Sequence, residues 1–170
     1  IELVAELGGH VPLGLVRGGV GEGETSEEAL ECFKICADRL LKKATLLGVR
    51  LLVEPINRYE ISTLNSVEES CEFIREAGLE LYLMIDTFHM NIEDVSIEES
   101  IRSASDLIGH VHFLDSNRLA PGMGHLDMPG IYRVLQSLGY DGFLSLEGLP
   151  KPDTLTVAKK GAEFFKEHNI

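Results

Sequence analysis

Four residues that can bind a metal ion each stand at the end of a short apolar stretch of the sequence. The stretches "LLVE", "LMID", "GHVH" and "LSLE" end on Glu54, Asp86, His112 and Glu147. An ionised carboxylate beside apolar neighbours is costly unless a cation or several hydrogen-bond donors compensate it. If folding brings the four side chains together, the three carboxylates will repel one another unless a cation joins them. Oxygen-rich ligation with a single nitrogen suits Mn²⁺, Mg²⁺ or Co²⁺ better than structural zinc.

Two simpler explanations could account for polar residues at the ends of these four apolar stretches. Asp86 is followed by "TFHMNIED", and aspartate is a common cap at the start of a helix. The four residues could also be unrelated surface groups that never meet. The decision between these readings depends on where the fold places the ends of the strands.

Three further polar residues follow the same strand ends at short distances in the sequence. Glu60 follows Glu54 in "EPINRYE", His89 follows Asp86, and Arg118 follows in "HFLDSNRLAPGMGH". Taken singly, each is typical of a loop salt bridge. Taken together beside a metal ion, they are the kind of groups that bind the hydroxyls of a polyol. We assign only a packing role to His110.

Composition limits the partners that the chain can have. It has 170 residues, of which 44% are hydrophobic and 25% charged, which fits one domain or a piece of one. A net charge of −13 disfavours nucleic acid as a partner. No apolar run approaches the roughly 20 residues of a membrane helix, and the N-terminus lacks a signal pattern. We therefore expect a cytoplasmic protein that binds neither nucleic acid nor a membrane.

Short apolar runs alternate with amphipathic stretches along the whole chain. The runs predict five strands, at residues 11–17, 49–54, 81–86, 108–115 and 143–147. Between them, apolar residues recur at spacings of three and four, which predicts helices. Three of these helices begin with the spacing of a capping box, at Thr25 with Glu28, Ser66 with Glu69, and Ser96 with Glu99. Buried strands joined by helices predict an α/β protein with a parallel sheet.

The positions of the polar residues favour a (β/α)8 TIM barrel over a doubly wound sheet. In a barrel, the loops that follow the C-terminal ends of the strands converge on one catalytic face. In a doubly wound sheet, the same ends spread along a line and cluster only near a switch point. Four successive strands that each end on a potential ligand fit the barrel better.

The chain is shorter than a complete barrel, which needs eight strands and about 250 residues. We count five strands, and the chain begins at Ile1 in what reads as the end of a helix. The sequence therefore predicts that residues 1–170 are the C-terminal part of a single barrel domain, with its N-terminal strands absent. Such a piece would expose sheet edges, and exposed edges promote association. We therefore expect the chain to aggregate, to pair with further copies as a homo-oligomer, or to need its N-terminal part supplied from elsewhere.

With these residues assembled, the chain resembles the ketose 3-epimerases, the D-tagatose and D-psicose 3-epimerase group of the xylose isomerase-like TIM barrels. The resemblance rests on "VEPINRYE", "MIDTFHMNIED", "GHVHFLDSNRLAPGMGHLD" and "LSLE", which occur in this order. It implies a divalent metal ion that is bound by Glu54, Asp86, His112 and Glu147. We expect Mn²⁺, with Co²⁺ or Mg²⁺ as alternatives. It also implies that Glu60, His89 and Arg118 hold a ketose substrate, and that Glu54 and Glu147 act as acid and base.

Inversion of C3 in a free ketose needs proton removal from one face and proton return to the other. Two carboxylates that flank C3 meet this need, and a metal ion would stabilise the cis-enediolate between the two steps. Three alternatives remain: a hydroxypyruvate isomerase, another sugar or sugar-phosphate isomerase of the superfamily, and a metal-stabilised sugar-binding module without turnover. The presence of both Glu54 and Glu147 favours an enzyme over the binding module, because a binding protein needs no second proton carrier.

Overall fold

Helices and strands alternate along the chain, as the sequence predicts. The computed structural model describes all of residues 1–170. The strands are β1 (Val11–Leu13), β2 (Leu51–Val53), β3 (Tyr82–Asp86), β4 (Ile108–His112) and β5 (Leu144–Ser145). The helices are α1 (Glu2–Leu7), α2 (Ser26–Leu46), α3 (Val67–Ala77), α4 (Thr87–Glu93), α5 (Ile97–Ser103), α6 (Met128–Ser137) and α7 (Thr154–His168). None of the helices is both long enough and apolar enough to cross a membrane.

The five strands form one parallel sheet in which neighbours in the sequence are also neighbours in space, in the order β1-β2-β3-β4-β5. The register pairs Asp86 with His112, and His112 with Ser145. The last strand is shorter than the predicted strand at 143–147, because it lies at an edge and pairs only with β4. Sequential parallel order places all the strand ends that carry the candidate ligands at one edge of the sheet.

The hydrophobic core lies between one face of the sheet and the surrounding helices. Leu83, Ile85 and Val111 are fully buried members of this core. Since side chains alternate between the two faces of a strand, Asp86 and His112 must lie on the opposite face. The apolar packing thus fixes which face of the sheet receives the polar side chains.

Local sequence signals set where the helices begin. Thr25 and Glu28 form the complete reciprocal capping box predicted for α2. At the starts of α3 and α5, the side chains of Ser66 and Ser96 cap the helix as predicted, but the glutamate half of each box is not formed. These caps anchor three of the helices that pack on the sheet.

The first strand ends earlier than predicted. The predicted strand at 11–17 stops at Leu13, and a 3-10 turn follows at Leu15–Arg17. The physical reason is the buried side chain of Arg17, which turns back to donate to the carbonyls of Glu54 (2.7 Å) and Thr63 (2.8 Å). An extended strand would carry this guanidinium away from those carbonyls.

Candidate metal centre and adjoining polar pocket

The four residues that end the apolar stretches meet in one cluster. One ligand atom from each of Glu54, Asp86, His112 and Glu147 lies within 4.8 Å of the others. The His112 Nδ1 atom is 3.5 Å from Glu54 Oε1, 3.7 Å from Asp86 Oδ2 and 3.6 Å from Glu147 Oε2. The two carboxylates of Glu54 and Asp86 are buried, whereas the side chain of Glu147 is 58% exposed. The cluster therefore has one open side.

The order of the strands determines the arrangement of the cluster. Glu54 follows β2, Asp86 ends β3 and His112 ends β4. Ser145 pairs with His112, and Glu147 lies two residues beyond Ser145. Because side chains alternate along a strand, Glu147 lies on the same face of the sheet as His112. Because the sheet order is sequential, the two glutamates come from the ends of this row of four strands, with Asp86 and His112 between them.

Three of the four facing atoms are buried without a hydrogen-bond partner. They are Glu54 Oε1, Asp86 Oδ2 and His112 Nδ1. Buried polar atoms are almost always paired, and an unpaired ionised group is costly. Carboxylate oxygens and an imidazole nitrogen that converge without partners fit a divalent cation. This group of residues can hold a metal ion as the sequence predicts.

The sequence context of Asp86 was compatible with a helix cap and with a metal ligand. The structure accommodates both roles, because each of the two carboxylate oxygens has a different neighbour. Its Oδ1 atom accepts a hydrogen bond from the backbone N–H of Phe88 (2.8 Å) and so caps α4. Its Oδ2 atom faces His112 in the cluster. The helix-cap reading and the ligand reading are compatible.

The carboxylates control the protonation of His112 when no cation is present. Burial alone would lower the pKa of His112, but the facing Asp86 and Glu54 carboxylates outweigh it and raise the pKa to about 9. The metal-free cluster therefore holds a proton at neutral pH in the place where a metal ion would bind.

Arg118 connects the cluster to the second group of predicted residues. Its Nη1 atom lies 3.2 Å from Glu60 Oε1, and its Nη2 atom lies 3.3 Å from Glu147 Oε2. Its backbone has a positive φ of 59°, which is unusual for a residue with a side chain. The loop conformation thus directs one guanidinium to two carboxylates at the open side of the cluster.

His89 joins the same group through a residue that the sequence analysis did not single out. The alternative of a loop salt bridge does not hold for His89, since it lies in α4 and is 1% exposed. Its Nδ1 atom is 2.8 Å from Asn57 Nδ2, which also lies 2.9 Å from Glu60 Oε1. All seven predicted site residues are therefore connected by direct contacts or through Asn57.

Two other buried polar residues that shape the site were missed. Asp115 accepts backbone hydrogen bonds from Ser116, Gly122 and Leu126, and so organises the loop that carries Arg118. An aspartate at the end of a predicted strand, followed by a loop that contains Gly122 and Gly124, was an available signal for this role. No comparable signal in the sequence marked Arg17.

The packing role assigned to His110 is incomplete. Its Nε2 atom lies 2.7 Å from Ser145 Oγ, and its ring meets the ring of His112 edge to face. Burial, followed by the neighbouring His112 and His10, lowers its pKa. Because its pKa is lowered, His110 is neutral at pH 7 and adds no positive charge next to His112.

Proteins whose sequences are similar to this chain include several sugar epimerases. The chain is 41% identical to a D-psicose 3-epimerase of Enterocloster bolteae over 109 residues, which cover 64% of this chain and 36% of that protein. It is 34% identical to an L-ribulose 3-epimerase of Mesorhizobium japonicum over 151 residues, which cover 86% of this chain and 50% of that protein. The chain spans about a third to a half of the length of these curated relatives.

Solved structures give the same result for the fold. The crystal structure of a D-allulose 3-epimerase from Methylomonas sp. matches with a TM-score of 0.83 and 28% identity, over 98% of this chain and 66% of that one. A family model described as a xylose isomerase-like TIM barrel matches residues 1–168. The fold class predicted from the sequence is confirmed, and the chain belongs to the xylose isomerase-like TIM barrel family.

Proposed function

We propose that this chain carries the metal centre and the proton-transferring residues of an isomerase that inverts C3 of a free ketose. One observation carries the proposal: Glu54 and Glu147 approach the same small volume from the two ends of a row of four strands. A reaction that takes a proton from one face of a carbon and returns it to the other needs two proton-carrying groups, and two such carboxylates can serve as these groups. The relatives named as 3-epimerases support the same reaction.

In the proposed mechanism, one glutamate removes the C3 proton from one face of the sugar. The other glutamate, in its protonated form, returns a proton to the opposite face of the resulting cis-enediolate. The two residues exchange roles in the reverse direction. Arg118 lies 3.3 Å from Glu147 and holds the more exposed of the two carboxylates in place.

Glu54, Asp86, His112 and Glu147 are the proposed metal ligands, and Mn²⁺ is the proposed ion, with Co²⁺ or Mg²⁺ as alternatives. When bound, this ion would stabilise the negative charge that develops on the sugar oxygens as C3 loses its proton. The unpartnered buried atoms of the cluster support this ligand set.

Glu60, His89 and Arg118 are the proposed substrate-binding residues. The guanidinium of Arg118 already contacts the carboxylates of Glu60 and Glu147, which leaves it poorly suited to a phosphate. The arrangement therefore favours a sugar with neutral hydroxyls over a phosphorylated sugar. That residues 1–170 are the last five strands of one barrel domain, and that the protein forms homo-oligomers, stay predictions.

Isotope exchange tests the proposed reaction. The protein is stripped of metal, reloaded with Mn²⁺ and incubated with a panel of ketoses in D₂O. Deuterium at C3 supports epimerisation, whereas deuterium at C1 or C2 together with an aldose product would replace the proposal with an aldose–ketose isomerase. Full activity after exhaustive chelation would remove the metal ion from the mechanism.

Substitution of a proton carrier tests the assignment of the two glutamates. Glu147→Gln keeps the size of the side chain but removes its proton transfer, so kcat should fall by at least about 100-fold. Metal content is measured in parallel, because an unloaded variant would be inactive for another reason. Glu167→Gln, on the exposed side of α7, is the matched control. A nearly unchanged rate in a metal-loaded Glu147→Gln variant would limit Glu147 to ligation.

A further inference from the structure

The ring of His89 forms its hydrogen bonds within the chain at one nitrogen. The Nδ1 atom lies 2.8 Å from Asn57 Nδ2 and 3.4 Å from the backbone N of Asn57. A neutral imidazole has one nitrogen that donates and one that accepts, and the neighbours of the ring decide which is which. The orientation of the Asn57 side chain therefore decides the protonation state of this ring.

That orientation is determined by two neighbours whose hydrogen-bonding roles cannot change. The Oδ1 atom of Asn57 lies 3.0 Å from the backbone N–H of Tyr59, which can only donate. The Nδ2 atom lies 2.9 Å from a carboxylate oxygen of Glu60, which also contacts Arg118 and can only accept. A flipped amide would place oxygen against oxygen at Glu60 and N–H against N–H at Tyr59. The amide nitrogen must therefore face His89.

A second contact holds the two segments together at this point. Arg58, next to Asn57, forms a bidentate pair with Glu93 at the end of α4, the helix that carries His89. The backbone N–H of Arg58 also donates to Glu93, whose side chain is only 4% exposed. The loop and the helix are thus fixed to each other beside the contact between Asn57 and His89.

We infer that Asn57 is a positioning residue that holds His89 as a neutral imidazole with its proton on Nε2. A proton on Nδ1 would face two N–H groups of Asn57, so the lone pair must be there. If the proposed function is correct, His89 then acts as a hydrogen-bond donor to a sugar oxygen and not as a proton-accepting base. The proton transfers are left to the two glutamates.

The same amide gives Glu60 the complementary role. It occupies one oxygen of Glu60 while Arg118 contacts both, so this carboxylate can only accept further hydrogen bonds. One asparagine therefore sets a donor at His89 and an acceptor at Glu60. This pair suits a ligand with a carbonyl or alkoxide oxygen at one position and a hydroxyl at another, which is the pattern of a ketose.

Nitrogen-15 NMR of the histidine rings tests the inference directly. The protein is loaded with Mg²⁺, which is diamagnetic, and the His89 signals are assigned by their loss in His89→Gln. Long-range proton–nitrogen correlations distinguish a ring protonated on Nε2 from one protonated on Nδ1. We expect the Nε2–H form in the unsubstituted protein, and an Nδ1–H or doubly protonated ring would overturn the inference.

Substitution of the asparagine tests whether Asn57 is the cause. Asn57→Asp retains the acceptor for Tyr59 but replaces the donor that faces the ring, so His89 should gain a proton on Nδ1. Asn169→Asp is the matched control, because it makes the same change of charge at an exposed residue that follows α7 and lies outside the site. An unchanged Nε2–H ring in folded Asn57→Asp would overturn the role of Asn57. If that variant does not fold, Asn57→Ala replaces it. Only the backbone N–H at position 57, 3.4 Å from Nδ1, then faces the ring, so an Nδ1–H form should become detectable. A ring that remains wholly Nε2–H in Asn57→Ala would assign the tautomer to this backbone N–H and overturn the role of the side chain.

Kinetics separate this inference from the proposed function. In an active epimerase, Asn57→Asp should weaken ketose binding by roughly tenfold or more, the usual scale for a lost hydrogen bond to a ligand, and Asn169→Asp should not. An inactive protein with the Nε2–H ring would refute the proposed function and leave the tautomer assignment standing. An active epimerase with an Nδ1–H ring would refute the tautomer assignment and leave the proposed function standing.

Discussion

The loop that presents Arg118 depends on one buried carboxylate, and removal of its charge should destabilise the protein. Asp115 is completely buried. Its Oδ1 atom accepts from the backbone N–H groups of Ser116 (2.8 Å) and Leu126 (3.1 Å), and its Oδ2 atom accepts from Gly122 (2.9 Å). Burial alone would raise the pKa of Asp115, but these donors outweigh it and lower the pKa below its usual value.

The size of the effect of Asp115→Asn follows from these three hydrogen bonds. The new amide oxygen can keep the two bonds of Oδ1 as weaker, neutral ones. The new NH₂ group would face the N–H of Gly122, so one charge-assisted bond is lost and a buried donor is left without a partner. Hydrogen bonds to charged groups contribute about 1.5–3 kcal/mol each, so we expect a loss of roughly 2–4 kcal/mol in the free energy of unfolding.

Urea denaturation at pH 7 measures this loss, and Asp127→Asn is the matched control. Asp127 is exposed and caps α6 through a single bond to Gly130, and asparagine caps a helix as well as aspartate does. Because the folded pKa of Asp115 is lowered, its contribution is present above the unfolded pKa of about 4 and is lost as pH falls through the folded pKa. The penalty should therefore shrink below about pH 4. A penalty at pH 7 no larger than that of Asp127→Asn would refute the reasoning.

Three further predictions concern the site. Arg118→Ala should raise KM for the ketose by roughly tenfold with metal affinity nearly unchanged, since Arg118 is not a ligand; lost metal binding with an unchanged KM would contradict this. Metal binding at pH 7 should release about one proton, because it displaces the proton that His112 retains through its raised pKa of about 9. Calorimetry in buffers of different ionisation enthalpy measures the number of protons released. A metal affinity that does not change between pH 6 and 8 would contradict the prediction. Arg17→Met should destabilise the protein by about 2–4 kcal/mol and weaken metal binding, because the carbonyl of Glu54 loses its donor; denaturation and metal titration measure both, and unchanged metal affinity would contradict it.

The candidate ligands were predictable because strand geometry is regular. A residue at the end of a buried parallel strand has few possible positions, and alternation fixes its face. Glu54, Asp86 and His112 could therefore be placed from apolar runs of three or four residues. Glu147 could be placed too, although β5 covers only Leu144–Ser145, because the face of a side chain is preserved just beyond the last paired residue.

The residues that hold those ligands could not be predicted in the same way. Arg17 and Asp115 act through backbone carbonyls and N–H groups of distant segments, such as Glu54 and Leu126. Such contacts depend on how a loop folds back, and neither hydrophobic periodicity nor residue type encodes that path. Asn57 is similar, because an asparagine in a loop has many local partners and nothing in its own segment indicates His89.

Asp86 explains why a buried strand ends on a carboxylate in this protein. One oxygen caps the first turn of α4, and the other oxygen of the same planar group faces His112 without a partner. The cap fixes the plane of the carboxylate, so it also fixes the direction in which the second oxygen meets the cluster. His89 lies in the helix that this cap begins, and its ring is held in turn by Asn57. One side chain thus sets the position of the proposed metal centre relative to the proposed sugar-binding histidine, which is why a substitution at Asp86 should disturb both together.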